Sequence, residues 1–161
     1  MTITDNKFSR RVILQGAGAV ALVGLGNMSF GLPAFAAAND KYPEAAFKQK
    51  SDTDAIKALY GKTAEASDKI KLDAPEIAEN GAVVPVSVTT TLADVSSISF
   101  LVAENPIALV ASYRIPAGTV PSVANRIKMA RTSKVTVLVE AGGKLYSADK
   151  EVKVTVGGCG G

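Results

Sequence analysis

The chain has 161 residues, 47% hydrophobic and 20% charged, with a formal net charge of +3. That composition suits one ordinary globular domain. It holds no histidine, no tryptophan and a single cysteine, which excludes a zinc finger, a CxxC redox pair, an internal disulfide and a Cys/His nucleophile pair made within the chain.

The N-terminus reads as an export signal. Ser9-Arg10-Arg11-Val12-Ile13-Leu14 is a twin-arginine motif, followed by a weakly apolar, glycine-rich stretch over 16–35. Ala34-Phe35-Ala36 supplies a small-residue cleavage pattern. Glycines, Asn27 and Pro33 interrupt the stretch, so it reads as a leader and not as a stable membrane anchor. Residues 1–36 are therefore expected to be removed and the mature protein to work in the periplasm, with Arg10 and Arg11 as the export determinants. Gly16-Ala17-Gly18-Ala19-Val20-Ala21 matches a GxGxxA dinucleotide fingerprint, but it lies in the leader with no strand before it, so it carries nothing. Removing the leader leaves a net charge of about +1 with basic and acidic residues interspersed, and no basic patch supports nucleic-acid binding.

Residues 37–66 read as a helical N-terminal segment. Pro43 suits a first turn. Thr53 or Asp54 could cap a second helical segment that Gly61 stops. Ile56, Leu59 and Tyr60 share one face of it, the spacing of an amphipathic helix that covers a core or meets a partner.

From 67 to 156 the pattern is that of strands. Ile70 and Leu72 alternate with charged residues. Glu79-Asn80-Gly81 signals a turn, and valines at every second position follow from Val84, with Pro85 at a strand start or edge. Further strands are expected over 97–103, 107–115, 122–130, 134–140, 144–148 and 151–156, separated by Asn-Pro, Pro-Ala-Gly and Gly-Gly signals. About six to eight short strands at this spacing predict an immunoglobulin-like antiparallel β-sandwich with a short N-terminal helical extension. A small closed barrel is the alternative.

The sequence closes on Gly157-Gly158-Cys159-Gly160-Gly161. Glycines bring no side chains to bury a thiol, and they leave the backbone free. Residues 157–161 are therefore expected to form a flexible arm, with Gly157, Gly158, Gly160 and Gly161 as its joints. Cys159 stands three residues past Val156, a reach of roughly 10 Å from the strand end. With no histidine to act as base, the thiol reads as an attachment point whose activation comes from a partner. No catalytic, cofactor or metal-binding residue is expected in the chain itself. Cys159 could instead make an interprotein disulfide, as an assembly tether or as a linked dimer. A terminal diglycine also ends cytoplasmic thiocarboxylate carriers, a reading that the export signal opposes.

The leader, the β-rich domain and the terminal GGCGG together resemble the SoxY family, the sulfur-carrying subunits of the bacterial thiosulfate-oxidising Sox system. The stretch IKLDAPEIAENGAVVPV at 70–86 looks like that family's entry into its sandwich. The resemblance implies that Cys159 bears pathway intermediates covalently, first as a cysteine S-thiosulfonate. It also implies a heterodimer with a SoxZ-like subunit. A c-type haem enzyme would load the cysteine and a di-manganese hydrolase would release sulfate. Where present, a molybdenum sulfur dehydrogenase would oxidise the remaining sulfur. Those cofactors would belong to the partners, and the chain would be a carrier and not an enzyme.

Overall fold

The computed structural model describes residues 42–158. The leader with Arg10 and Arg11, and Cys159, Gly160 and Gly161, lie outside the described residues. A short 3-10 turn, Ala46–Lys48, leads into one α-helix, α1, Asp52–Tyr60. Ser51 caps it, its hydroxyl accepting from the Asp54 N–H at 3.1 Å. The cap thus falls two or three residues earlier than Thr53 or Asp54, because Ser51 is the residue in extended backbone just ahead of the first turn. Gly61 closes the helix at φ 63°, a left-handed position that favours glycine.

Nine strands follow: β1 Glu65–Ala66, β2 Ile70–Asp73, β3 Ile77–Asn80, β4 Val84–Thr90, β5 Val95–Val102, β6 Leu109–Arg114, β7 Ser122–Ile127, β8 Ser133–Ala141 and β9 Lys144–Val156. The larger sheet runs β1-β9-β8-β5-β6, with β3 also on β9; the smaller is β2-β4-β7. The fold is mainly β and sandwich-like, as the strand pattern predicts. Its ladders are antiparallel except where β1 and β3 join β9 in parallel.

Two details differ from the sequence reading. The strands expected at 144–148 and 151–156 are one 13-residue strand, β9. Asp149-Lys150 contains neither glycine nor proline, and these two pair with Thr136 and Val135 of β8 without a break. The segment ahead of Gly81 was read only as a turn, yet it includes β3, which pairs Ile77 with Lys153 and Asn80 with Val156. Pro85 fits its place. It lies in β4, the central strand of the small sheet, but beyond the last β2 partner, Asp73 opposite Ser87, so only β7 flanks it there.

Valine at alternate positions builds the space between the sheets. Val84, Val86 and Val88 of β4 face Ile98, Phe100 and Val102 of β5 and Val135, Val137 and Val139 of β8 in one buried cluster. The opposite face of β5 and β8 is buried too. There Leu101 and Leu138 join Leu109, Leu145, Ala46 and Ala55, with Phe47, Ile56, Leu59 and Tyr60 packed around them. The helical segment therefore covers the outer face of the larger sheet. Burial on both faces explains why β5 and β8 read as nearly continuous apolar runs.

Candidate functional site

The long strand β9 sets the geometry of the C-terminal segment. Its first part pairs with β8 as a hairpin closed by Gly142 and Gly143, both at positive φ. Past Val152 it outruns β8 and continues against β3. Thr132 Oγ1 accepts from the Val154 N–H at 2.9 Å, and Thr155 Oγ1 donates to the Glu79 carbonyl at 2.8 Å. These bonds hold the strand end after its main ladder has stopped.

Three backbone hydrogen bonds then close a ring around that end. The Gly81 N–H donates to the Val156 carbonyl at 2.7 Å. The Met129 N–H donates to the Gly81 carbonyl at 2.7 Å, and the Gly158 N–H donates to the Met129 carbonyl at 2.9 Å. Flanking side chains hold both walls. Asn80 Oδ1 accepts from the Ala82 N–H at 2.8 Å, fixing the turn after β3. Asn105 donates to the Lys128 carbonyl at 2.8 Å and accepts from the Ala130 N–H at 2.9 Å, fixing the loop after β7.

The backbones approach so closely that side chains are excluded. A Cβ on Gly81 would sit 2.3 Å from the Met129 carbonyl oxygen and 2.9 Å from the Gly158 nitrogen. A Cβ on Gly158 would sit 2.2 Å from both the Ala82 nitrogen and the Gly81 carbonyl carbon; one on Gly157 would meet the Ala130 carbonyl oxygen at 2.3 Å. Gly157 and Gly158 were read as arm joints for their freedom. The structure places them against the domain, where glycine is required for space. Gly81, Met129 and Asn105 are the residues that sequence reasoning missed here. The Asn80-Gly81 pair was visible, but only as a turn.

The strands that meet at this point expose apolar side chains: Ile77 is 59% exposed, Val83 54% and Val156 63%. No acid–base constellation lies beside them among the described contacts. The Lys150 ammonium donates to the Ala74 carbonyl, which ties it down along the strand.

The shifted carboxyl and phenol groups lie elsewhere. Under the helix, Tyr60 Oη bonds Ser99 Oγ at 2.7 Å and Ser97 Oγ at 3.1 Å, and Ser99 Oγ reaches Ser112 Oγ at 2.9 Å. Burial pushes the Tyr60 phenol above its ordinary range, opposed by those serines. Burial likewise raises the Asp52 carboxyl, opposed by Lys134. The Glu140 carboxyl is held below its usual range, chiefly by the hydrogen bond from Lys62 at 2.6 Å. Tyr60 and the Lys62–Glu140 pair tie the helical segment to the larger sheet. Among the described residues no cluster of three His, Cys, Asp or Glu could hold a metal, and no helix is long and apolar enough to cross a membrane.

Comparison with known proteins matches residues 56–159 to the family model described as sulfur oxidation protein SoxY. Among solved structures, the chain is similar to the sulfur carrier protein SoxY from Chlorobium limicola f thiosulfatophilum. Identity is 45% over 65% of this chain and 96% of that one, with a TM-score of 0.59. A superoxide reductase (neelaredoxin) from Ignicoccus hospitalis aligns at 19% identity over 53% of this chain and 80% of that one, TM-score 0.47, a likeness too slight to carry an argument. A search of curated proteins found no match.

Proposed function

The chain belongs to the SoxY family of sulfur oxidation proteins, and from that premise we propose that it is a periplasmic carrier which holds thiosulfate-derived sulfur covalently on Cys159. The family match carries this reading, because its residues run from 56 to 159 and so include the cysteine.

The chemistry asked of Cys159 is that of a thiolate. In loading, the thiol loses its proton and its sulfur bonds to the outer sulfur of thiosulfate. The two electrons released pass to a c-type haem partner, leaving a cysteine S-thiosulfonate. A di-manganese hydrolase partner then adds water across the terminal sulfur–sulfur bond. Sulfate and one proton leave, and a persulfide, –S–SH, stays on Cys159. A molybdenum sulfur dehydrogenase, where one is present, oxidises that sulfur further. The chain supplies none of these cofactors; it supplies the sulfur and its placement. Covalent attachment raises the effective concentration of each intermediate at the next active site. Folded export through Arg10 and Arg11 would carry a SoxZ-like subunit lacking its own signal along with it.

The test is incubation with thiosulfate and the haem partner, followed by intact-mass measurement. The unmodified chain gains the mass of a thiosulfate adduct and Cys159→Ser gains none. An adduct retained by Cys159→Ser would point to the terminal carboxylate, and a mass showing only disulfide-linked dimer would favour the assembly tether.

A further inference from the structure

We propose that Gly81 and the Met129 carbonyl form a socket that seats Gly157 and Gly158, so the backbone held by the domain runs to Gly158 and does not stop at Val156. The proposal deepens the carrier reading and rests on it for its functional meaning.

Three independent features build the socket. The ring of hydrogen bonds from Val156 to Gly81, Met129 and Gly158 closes on itself through the covalent chain. Gly81 is buried, and its missing side chain is the space that the Gly158 amide and the Met129 carbonyl occupy. Both walls are pinned from outside, one by Asn80 and the other by Asn105. Glycine at 81 is therefore a positioning requirement for the residues that carry Cys159, although 78 positions separate the two.

The socket sets the reach of the thiol. With Gly158 seated, the chain is held as far as a point beside Met129, one residue short of Cys159. A single backbone bond, Gly158 to Met129, secures the end of the seat. Releasing it frees Gly157 and Gly158 and adds about 7 Å of reach.

The experiment is amide hydrogen exchange by NMR on the full chain under reducing conditions. The Gly158 amide is expected to exchange at least about tenfold more slowly than the Gly160 amide. In Gly158→Ala the added Cβ cannot fit against Ala82 and Gly81, so the amide at 158 should approach the Gly160 rate while those of Phe100 and Val137 keep theirs. Gly81→Ala should do the same from the other wall. Equal rates for Gly158 and Gly160 in the unmodified chain would overturn the proposal, and so would retained protection at 158 in Gly158→Ala. Exchange is read without any sulfur chemistry. A chain that protects Gly158 but takes no adduct therefore refutes the carrier reading alone, and one that takes an adduct with an unprotected Gly158 refutes the socket alone.

Discussion

Tyr60 shows how one polar atom can join the helix to the sheet. Its hydroxyl reaches across 39 positions to Ser99, a fully buried serine on β5, and it also meets Ser97. Tyr60→Phe removes that hydroxyl but leaves Ser99 its bond to Ser112, so no buried serine is stranded. The expected cost is about 1 kcal/mol, the net worth of one neutral hydrogen bond, measured as a shift in the urea midpoint at unchanged slope. A loss of several kcal/mol would mean that the serines depend on Tyr60 entirely. The contact was invisible in the sequence, where Tyr60 read only as part of an apolar stripe. Cys159 lies outside the described residues, so its reading as a thiol without a buried setting rests on the four flanking glycines alone. Gly81 was half legible, since Asn80-Gly81 announces a turn but says nothing about which chain segment will press against it.

At the scale of elements, the two-sided burial of β5 and β8 makes the strongest stability prediction. Leu138 points away from the space between the sheets, toward Ala46, Ala55, Leu101 and Leu145, and is fully buried. Leu138→Ala should cost about 2–5 kcal/mol, and the damage should fall on the helical segment's seat. A cost under about 1 kcal/mol would show that α1 is loosely held. The strand pattern revealed the sandwich because alternate valines survive any detail of pairing. It hid β3 because four residues, Ile77–Asn80, carry one buried side chain, Ala78, and no alternation long enough to read. It divides β9 because Asp149-Lys150 in its middle is charged. In the fold that pair lies against β8 all the same, opposite Thr136 and Val135. Tertiary pairing there outweighs local composition.

At the scale of the molecule, charge contributes at the seam between the helical segment and the larger sheet. Lys62 follows α1 and Glu140 lies on β8; their ion pair is 2.6 Å long, and Ser96 Oγ donates a second bond to Glu140 at 2.9 Å. The Glu140 carboxyl is held below its unfolded value of 4.5, so its contribution is present above that pH and is lost as pH falls through the lower folded value. The pair is partly exposed and screened, which limits it to about 1 kcal/mol or less. Thermal melts of the unmodified chain and Glu140→Gln should therefore differ slightly at pH 7 and converge below pH about 4.5. A difference independent of pH would assign the effect to packing.

The chain belongs to the SoxY family, and the carrier reading proposed for it turns on Cys159. The most direct measurement is mass spectrometry of the peptide containing Cys159, taken from the chain during turnover with thiosulfate and its partner enzymes. Sulfur-containing adducts on Cys159 are expected, and they should disappear when thiosulfate is exhausted. A peptide that holds only free thiol, or only the disulfide of a dimer, throughout turnover would contradict it.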